Sequence, residues 1–388
     1  MFPGPTSKYR VIAAPNSMKG SLDAFRFAEI IGGAFRSVSD HFEVIELPVA
    51  DGGDFTADVL IRSLSLNRVT SLVHDALGRM MEAEYGFGNQ LAVIEMANAS
   101  GLKLLSPSEL NPLDTSSIGT GELIRDAVDR GAKTIWLGVG GSATIDGGMG
   151  LLEGLGVAFF DEYGERIRAS GANVGKIHSW DDAALNRYDE ISVKIICDVD
   201  NPLLGPAGAV AVFGPQKGAT NPMIPVLEKN LGHFANLIFQ KKGLDLRRRA
   251  GMGAAGGINL ALCGFLKAEI VPGAEFVLDT LGFDNQMQTA DLVITGEGRI
   301  DAQTANNKAP FVVACRAKKQ GIPIVAIGGE ITPEGAALFD ETYSLVNDAV
   351  SPENAMQQTE SLIFERARQA AADFLEKNIQ GTGQELTP

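Results

Sequence analysis

The chain has 388 residues, which is more than one compact hydrophobic core usually holds, so two domains are expected. Its net charge of −15 argues against nucleic-acid binding, which needs a basic surface, and no apolar run reaches the roughly 18 residues of a membrane span. Three cysteines, far apart in apolar contexts, predict free thiols in a reducing compartment, so a cytoplasmic protein without a nucleic-acid or membrane partner is expected.

The N-terminal segment alternates strand and helix as an α/β unit does. Residues 11–14 form a short apolar strand, and Ser21 is predicted to be the N-cap of the helix that follows. The apolar face of that helix has the i, i+3, i+4, i+7 spacing and consists of Ala24, Phe27, Ala28, Ile31 and Phe35. A second strand at 42–48 leads into the turn Asp51-Gly52-Gly53.

The middle of the chain has a different pattern. Residues 74–96 alternate and contain three glycines, which predicts antiparallel hairpins. Helices are predicted at 116–130, 221–240 and 256–267, the second with Asn221 as N-cap. No period of 20 to 50 residues recurs, so a solenoid is excluded.

The richest glycine segment runs from Leu137 to Gly148, directly after a predicted strand at 134–137. The backbone N–H groups of such a loop bind an anion, most often a phosphate. Gly138, Gly140 and Ala143 also fit the dinucleotide fingerprint G-x-G-x-x-A, with Asp161 about 20 residues further on. By itself, the segment leaves three interpretations open: a phosphate loop, a dinucleotide site and a turn without a ligand.

The C-terminal segment repeats the strand–helix alternation, with strands at 292–294 and 323–327 and helices at 309–320 and 358–376. Both ends of the chain are therefore predicted to form one discontinuous α/β domain, residues 1–72 plus 288–388. Residues 73–287 would form an inserted α/β domain with a mixed sheet and glycine-rich anion loops. That arrangement places a cleft at the domain boundary, where ligand sites are common. Two consecutive domains are the alternative.

Glycines and charged residues recur together where the predicted strands end, which is where α/β folds bind ligands. Phosphoryl transfer needs N–H groups and cations for the phosphates, and carboxylates for Mg²⁺ and for the attacking hydroxyl. The catalytic candidates are Lys19, Asp51, Asp198, Arg299 and Asp301. The three aspartates among them are also the candidate Mg²⁺ ligands. Mg²⁺ typically takes only one or two protein carboxylates, with water and phosphate as the other ligands, so the sequence need not contain a dedicated cluster.

A second group of residues is predicted to bind phosphate or substrate. It consists of Ser17, Gly52, Gly53, Gly140, Gly141, Ser142, Asp146, Lys217, Gly296, Glu297 and Lys308. Each prediction has a structural alternative. An aspartate such as Asp146 could accept N–H bonds within its own turn, and Glu297 could form an ion pair with Arg299.

Five motifs occur in the order found in one known family: residues 50–53, 138–148, 214–218, 254–257 and 295–301. The chain therefore resembles the bacterial glycerate kinase family over roughly residues 9–374. The resemblance implies ATP-dependent phosphorylation of D-glycerate, with 2-phosphoglycerate as the product. It also implies a flavodoxin-like (Rossmann-like) domain built from both chain ends, with a distinct α/β domain inserted. The implied partners are a nucleotide and a small-molecule substrate, and the oligomeric state, including a homodimer, stays open.

The chain departs from the usual pattern of that family inside its motifs. Asn16 stands where the family usually has Asp, and Asp54-Phe55 replaces the usual Glu-Gly. Ile145 replaces an Asn, and Asn307 replaces a Gly. These changes leave the kinase fold in place but the substrate open, so one alternative is a kinase for a related hydroxy or sugar acid. The dinucleotide fingerprint at Gly138 to Ala143 leaves an NAD-dependent oxidoreductase of the Rossmann type as another, and a ligand-binding relative without activity is the third.

Overall fold

The computed structural model describes residues 8–53, 55–305 and 308–382. The strands in these ranges are β1 (Tyr9–Ala13), β2 (Phe42–Glu46), β3 (Asn67–His74), β4 (Met80–Gly88), β5 (Leu91–Glu95), β6 (Thr134–Gly138), β7 (Ala158–Phe160), β8 (Arg166–Ile167), β9 (Ser179–Asp181), β10 (Ser192–Ile196), β11 (Glu269–Val271), β12 (Leu292–Ile300), β13 (Ile324–Ile331) and β14 (Glu341–Ser344).

The α-helices in the same ranges are α1 (Ala24–Val38), α2 (Thr56–Ser63), α3 (Ala97–Ser100), α4 (Ile118–Asp129), α5 (Met149–Gly154), α6 (Ala209–Phe213), α7 (Met223–Lys242), α8 (Asn259–Phe265), α9 (Gly273–Thr280), α10 (Phe283–Met287), α11 (Ala309–Lys319), α12 (Pro333–Ala336), α13 (Pro352–Gln357) and α14 (Thr359–Thr382). Short 3₁₀ turns include Pro215–Lys217 and Ala254–Gly257. Over the described residues, no helix is both long enough and apolar enough to cross a bilayer.

The chain divides into two compact units, residues 1–51 with 274–388, and residues 52–273. The predicted α/β class with a discontinuous first domain and an inserted second one is confirmed. The unit boundaries differ from the predicted 72/73 and 287/288. Strand β3 pairs with β4 along its whole length, so it belongs to the second unit. Ala274, Leu278 and Phe283 pack with Ile12 and Val293, so α9 and α10 contribute to the core of the first unit.

The first unit contains a parallel five-stranded sheet in the order β2-β1-β12-β13-β14. This is the flavodoxin-like order. The strand order reverses between β1 and β12, which are the first and third strands of this sheet along the chain, and this place is the switch point of the sheet. Neighbouring residues of a strand point to opposite faces, so Val11 packs under α1 and α14 while Ile12 packs under α10 and α11. Because both faces are covered, the central stretches of β1, β12 and β13, residues 11–13, 292–294 and 324–327, are apolar and buried.

Helix α1 illustrates how far sequence patterns reach. The predicted apolar face is buried, as Phe27, Ile31 and Phe35 are inaccessible to solvent. The predicted N-cap is wrong, because the helix begins two residues later than Ser21 would require. Asp23 caps it instead, and its side chain accepts a hydrogen bond from the backbone N–H of Arg26 at 2.9 Å.

The second unit contains a mixed six-stranded sheet in the order β11-β10-β6-β5-β4-β3. Strands β3, β4 and β5 pair antiparallel, as the alternating segment predicted, and β5, β6, β10 and β11 pair parallel. A separate antiparallel sheet has the order β8-β7-β9. Helices α4, α5, α7 and α8 pack with the large sheet in one core that includes Leu123, Leu151, Phe234 and Leu262.

Candidate active site

Strand β12 carries most of the 295–301 motif, although the strand predicted from the sequence ended at residue 294. It stays extended to Ile300 and pairs with β13 over most of its length. Glycine is required at 296, because a Cβ there would lie 2.1 Å from the carbonyl oxygen of Ile327. At Gly298 the Cβ position lies 3.8 Å from the backbone N of Lys19. The strand therefore brings the motif beside the turn that contains Ser17 and Lys19.

Glu297 is the buried acid of this edge, with only 6% of its surface exposed. Thr304 Oγ1 donates a hydrogen bond to Glu297 Oε1 at 2.8 Å, and Lys308 Nζ lies 3.7 Å from Oε2. The pKa of Glu297 is raised to about 7, mainly by burial and to a smaller extent by the negative charge of Asp51, while Lys308 and Thr304 oppose the rise. A carboxyl group with this pKa can take up or release a proton near neutral pH.

Asp51 and Asn16 join two strand ends in the first unit. The side-chain amide of Asn16 donates to Asp51 Oδ2 at 3.2 Å, and the Asn16 backbone N–H donates to the carbonyl of Gly296 at 2.8 Å. The other side-chain atom of Asn16 accepts from the N–H of Ser17 at 2.8 Å. An aspartate at position 16 would place a second negative charge against Asp51, so the amide keeps this contact attractive.

Arg299 and Asp301 form a more exposed pair further along the same strand. Arg299 Nε lies 3.0 Å from Asp301 Oδ2, and Arg299 Nη1 lies 3.6 Å from Glu330. Asp301 Oδ1 also accepts from the N–H of Gln303 at 2.8 Å. The ion pairs therefore differ from the suggested Glu297–Arg299 pair, because Glu297 pairs with Lys308 instead.

In the second unit, Asp146 has the geometry of its structural alternative. It is fully buried, and its oxygens accept from the N–H and Oγ–H of Ser117 at 2.7 and 2.8 Å and from the N–H groups of Gly148 and Gly150 at 3.0 and 3.1 Å. Both oxygens are thus used by the protein. Asp146 holds the glycine-rich loop against the start of α4 rather than facing a ligand.

Lys217 is buried beside the same loop, although it was predicted to contact phosphate. Its Nζ donates to Ser142 Oγ at 2.7 Å and to the carbonyl of Thr144 at 2.8 Å. Burial lowers the pKa of Lys217 to about 7, and the charge of Asp146 opposes the decrease. The accessible part of the loop is the turn just before Ser142. In this turn Gly140 is half-buried, and Gly141 is exposed with a φ of +64°.

The 254–257 motif packs against the backbone of the glycine-rich loop. Gly256 has a φ of +69°, and a Cβ there would lie 1.9 Å from the carbonyl oxygen of Thr144. Its own carbonyl accepts from the N–H of Gly147 at 3.1 Å. Ile145, predicted to matter because it replaces an amide, is buried in the core of the second unit. These residues shape the loop through packing.

Asp198 and Gly52 lie at the end of β10. Asp198 Oδ1 accepts from the N–H of Gly273 at 2.5 Å. Gly52 has a φ of +85°, and a Cβ there would lie 3.2 Å from the backbone N of Cys197. Thr56 Oγ1 accepts from the N–H of Gly52 at 3.0 Å and donates to the carbonyl of Gly53 at 2.9 Å. Glycine at 52 therefore allows a close approach between two backbones.

Three of the unusual motif residues remain to be placed. Phe55 is half-exposed and has a φ of +70°, a backbone conformation that favours glycine. Asp54 and Asn307 lie outside the described residues.

The dinucleotide fingerprint does not have the structure it requires. A Rossmann motif needs a parallel strand–helix–strand unit with the acidic residue after the second strand. Here β7 pairs antiparallel with both β8 and β9, and Asp161 accepts from the N–H groups of Tyr163 and Glu165 in a turn. Helix α5 begins only at Met149. The match at Gly138, Gly140 and Ala143 is therefore coincidental.

Sequence reasoning missed the residues that hold the charged groups in place. Thr304 binds Glu297, Ser117 binds Asp146, and the carbonyl of Thr144 binds Lys217. Ser117 and Thr144 lie far along the chain from the groups they bind. No local pattern marks either of them, and Thr304 lies in a polar turn like many others.

A flavodoxin-like unit with a buried acid and two lysines at its switch point, joined to a unit with a glycine-rich loop, defines a two-domain α/β enzyme that handles small anions. The chain matches the model of the Glycerate kinase family over residues 11–375. It belongs to this family. The predicted resemblance and the phosphotransferase class that it implies are thereby confirmed, and the oxidoreductase alternative is not supported.

Individual relatives agree with the family match. A glycerate kinase from Halalkalibacterium halodurans is 42% identical over 368 residues, covering 93% of this chain and 97% of the relative. The glycerate 2-kinase of Escherichia coli is 37% identical, covering 94% and 97%. A crystal structure assigned to glycerate kinase 2 from Salmonella typhimurium LT2 is similar with a TM-score of 0.85 and 39% identity, covering 96% of this chain and all of that one.

Proposed function

We propose that this chain is an ATP-dependent kinase that phosphorylates D-glycerate to 2-phosphoglycerate. The observation that carries the proposal is the cluster of Glu297, Lys308 and Asp51 at the switch point of the first unit, in a chain of the glycerate kinase family. The relative from Escherichia coli, which is named a glycerate 2-kinase, supports the position of the phosphate. We further propose that the enzyme is cytoplasmic, in line with its cysteine usage.

The substrate is an anion, and the chain has a net charge of −15, so its binding depends on local cations. Lys19 is exposed on the turn beside β12, and Lys308 is partly exposed at the N-cap of α11. We assign these lysines to the substrate carboxylate and the phosphoryl group. Arg299, which is exposed and held by Asp301, is assigned to charge that develops on the transferred group.

Glu297 is the carboxyl group suited to accept the proton of the attacking hydroxyl. The substrate oxygen forms a bond to the γ-phosphorus, the bond from that phosphorus to the β–γ bridging oxygen breaks, and ADP leaves. The hydroxyl proton passes to Glu297 Oε2. A base with a pKa of about 7 combines ionisation at neutral pH with the basicity that proton transfer needs.

The phosphate candidates of the second unit are the N–H groups of Gly140 and Gly141. Among the described residues, no group of three or more His, Cys, Asp or Glu side chains could hold a metal. Mg²⁺ needs only one or two carboxylates when phosphate and water complete its shell. Asp51, which lies beside Glu297 at the switch point, is the carboxylate that we assign to this role, and its hard oxygen atoms suit the ion. Bound Mg²⁺ would neutralise phosphate charge.

The test is an assay of ADP release with D-glycerate, L-glycerate and a series of hydroxy and sugar acids as acceptors. We expect D-glycerate to give the highest kcat/KM and the ³¹P spectrum of the product to match 2-phosphoglycerate. A higher kcat/KM with another acid would support the related-kinase alternative. Binding of ATP without ADP release for any acid would support a non-catalytic relative.

A further inference from the structure

We infer that Lys217 is a positioning residue: its buried ammonium fixes the Gly140–Ser142 turn and adds positive potential behind it. The inference rests on the proposed function, because it assigns a nucleotide phosphate to that turn. It differs from the sequence prediction, in which Lys217 touches the phosphate directly. With only 2% of its surface exposed, Lys217 acts on a ligand through Ser142 and Thr144.

The fold directs Lys217 to this position through a rigid turn. The residue ends the 3₁₀ turn Pro215–Lys217, and Gly218 follows with a φ of +88°. A Cβ at Gly218 would lie 2.1 Å from the carbonyl oxygen of Leu110, so the chain reverses against another backbone. The lysine therefore reaches the loop from a segment more than 70 residues away in sequence.

Burying the ammonium of Lys217 costs more free energy than a purely structural role would require. The ammonium binds a hydroxyl and a carbonyl, which are neutral, and the charged group that acts on it is Asp146. Asp146 already accepts four hydrogen bonds from other groups. An apolar side chain of similar length would fill this space without the cost of burying a charge. The charge therefore serves the turn beside it.

The two hydrogen bonds of Lys217 hold Ser142 and Thr144, in the segment that follows Gly140 and Gly141. Ser142 pairs with Gly101 through an isolated bridge, and Thr144 is fixed by the carbonyl that Lys217 binds. The N–H groups of Gly140 and Gly141 are then oriented without a side chain of their own. A preorganised set of N–H groups with a cation behind it binds phosphate more tightly than a mobile one.

The experiment measures binding of MgATP by calorimetry, together with kcat and both KM values, at about pH 6 and about pH 8. Lys217→Met keeps the length and removes the charge and both bonds, and we expect at least about tenfold weaker MgATP binding. The KM for D-glycerate should change less than about twofold. Ser142→Ala removes one acceptor, and we expect a smaller loss in the same direction. Lys229→Met, on the exposed side of α7, is the matched control and should bind like the parent.

The pH comparison separates positioning from simple scaffolding. The parent should lose MgATP affinity between about pH 6 and about pH 8 relative to Lys217→Met, because the ammonium loses its proton in that range and the methionine does not. Equal affinity in a folded Lys217→Met protein, or an equal loss for MgATP and D-glycerate, would overturn the inference. If Lys217→Met does not fold, Ser142→Ala and the parent pH series decide. A parent that binds MgATP but does not phosphorylate D-glycerate contradicts the proposed function alone.

Discussion

Glu297 in the first unit and Lys217 in the second are buried groups whose pKa values burial moves to about 7 from opposite directions. Their surroundings differ. Glu297 lies beside a partly exposed lysine and the charge of Asp51, whereas Lys217 contacts only uncharged acceptors. Burial is thus the largest cause of both pKa changes, and the neighbouring groups determine what each residue can do. One group can exchange a proton with a substrate, and the other holds a backbone.

The largest effect expected from this comparison is the loss of the proton acceptor. Glu297→Gln keeps a side chain that can bind Thr304 but cannot take up the proton, so kcat should fall by about 10²- to 10⁴-fold. The rise of kcat/KM around pH 7 should disappear with it. The exposed Glu334→Gln is the control and should retain parent activity. A Glu297→Gln enzyme with parent-like kcat would assign Glu297 to structure.

The second unit should be most sensitive where its loop is packed. Gly256→Ala combines a φ of +69° with a Cβ 1.9 Å from the carbonyl oxygen of Thr144, so we expect a loss of about 3 kcal/mol or more. Gly205→Ala has a φ of +92° with no atom within 4 Å, and it should cost only about 1 kcal/mol. Thermal unfolding of both variants provides the measurement. Equal midpoints would show that the loop relaxes around the added methyl group.

The surroundings of Glu297 and Lys217 also show what could be predicted from the sequence. The two-domain α/β fold was predictable because apolar periodicity is local, as in the face of α1. The extent of β12 was not, because glycines at 296 and 298 are typical of loops, whereas Gly296 is required by the nearby carbonyl of Ile327. The burial of Glu297 and Lys217 was not either, since charged residues are usually exposed and the polar groups they bind follow no local pattern.

The contributions of Glu297 and Lys217 to the free energy of unfolding should depend on pH with opposite signs. The folded protein raises the pKa of Glu297 from 4.5 to about 7, so the stability linked to this group is present below pH 4.5 and is lost as the pH rises through about 7. For Lys217, lowered from 10.5 to about 7, the stability is present above pH 10.5 and is lost as the pH falls through about 7.

Substitution at each site should therefore stabilise the protein at opposite ends of the pH range. Glu297→Gln should raise the free energy of unfolding at about pH 8 by on the order of 2 kcal/mol, with little gain near pH 4. Lys217→Met should give its gain near pH 6 and less of it near pH 9. Denaturant titrations at these pH values test the signs. The same sign for both variants would contradict a common origin in burial.

The smallest effect is expected for the exposed pair on β12. The Arg299 side chain is 62% exposed, and its contacts with Asp301 and Glu330 are surface ion pairs, which contribute at most about 1 kcal/mol. Arg299→Ala should therefore leave the thermal midpoint nearly unchanged. The free energy of unfolding should change by less than about 0.5 kcal/mol. Arg316→Ala, in which the lost arginine is mostly buried and pairs with three acidic residues, is the contrasting variant and should unfold at a lower temperature. Because Arg299→Ala keeps the fold, any decrease in its kcat measures the contribution of Arg299 to phosphoryl transfer. A clear decrease in its stability would instead make the pair part of the support for β12.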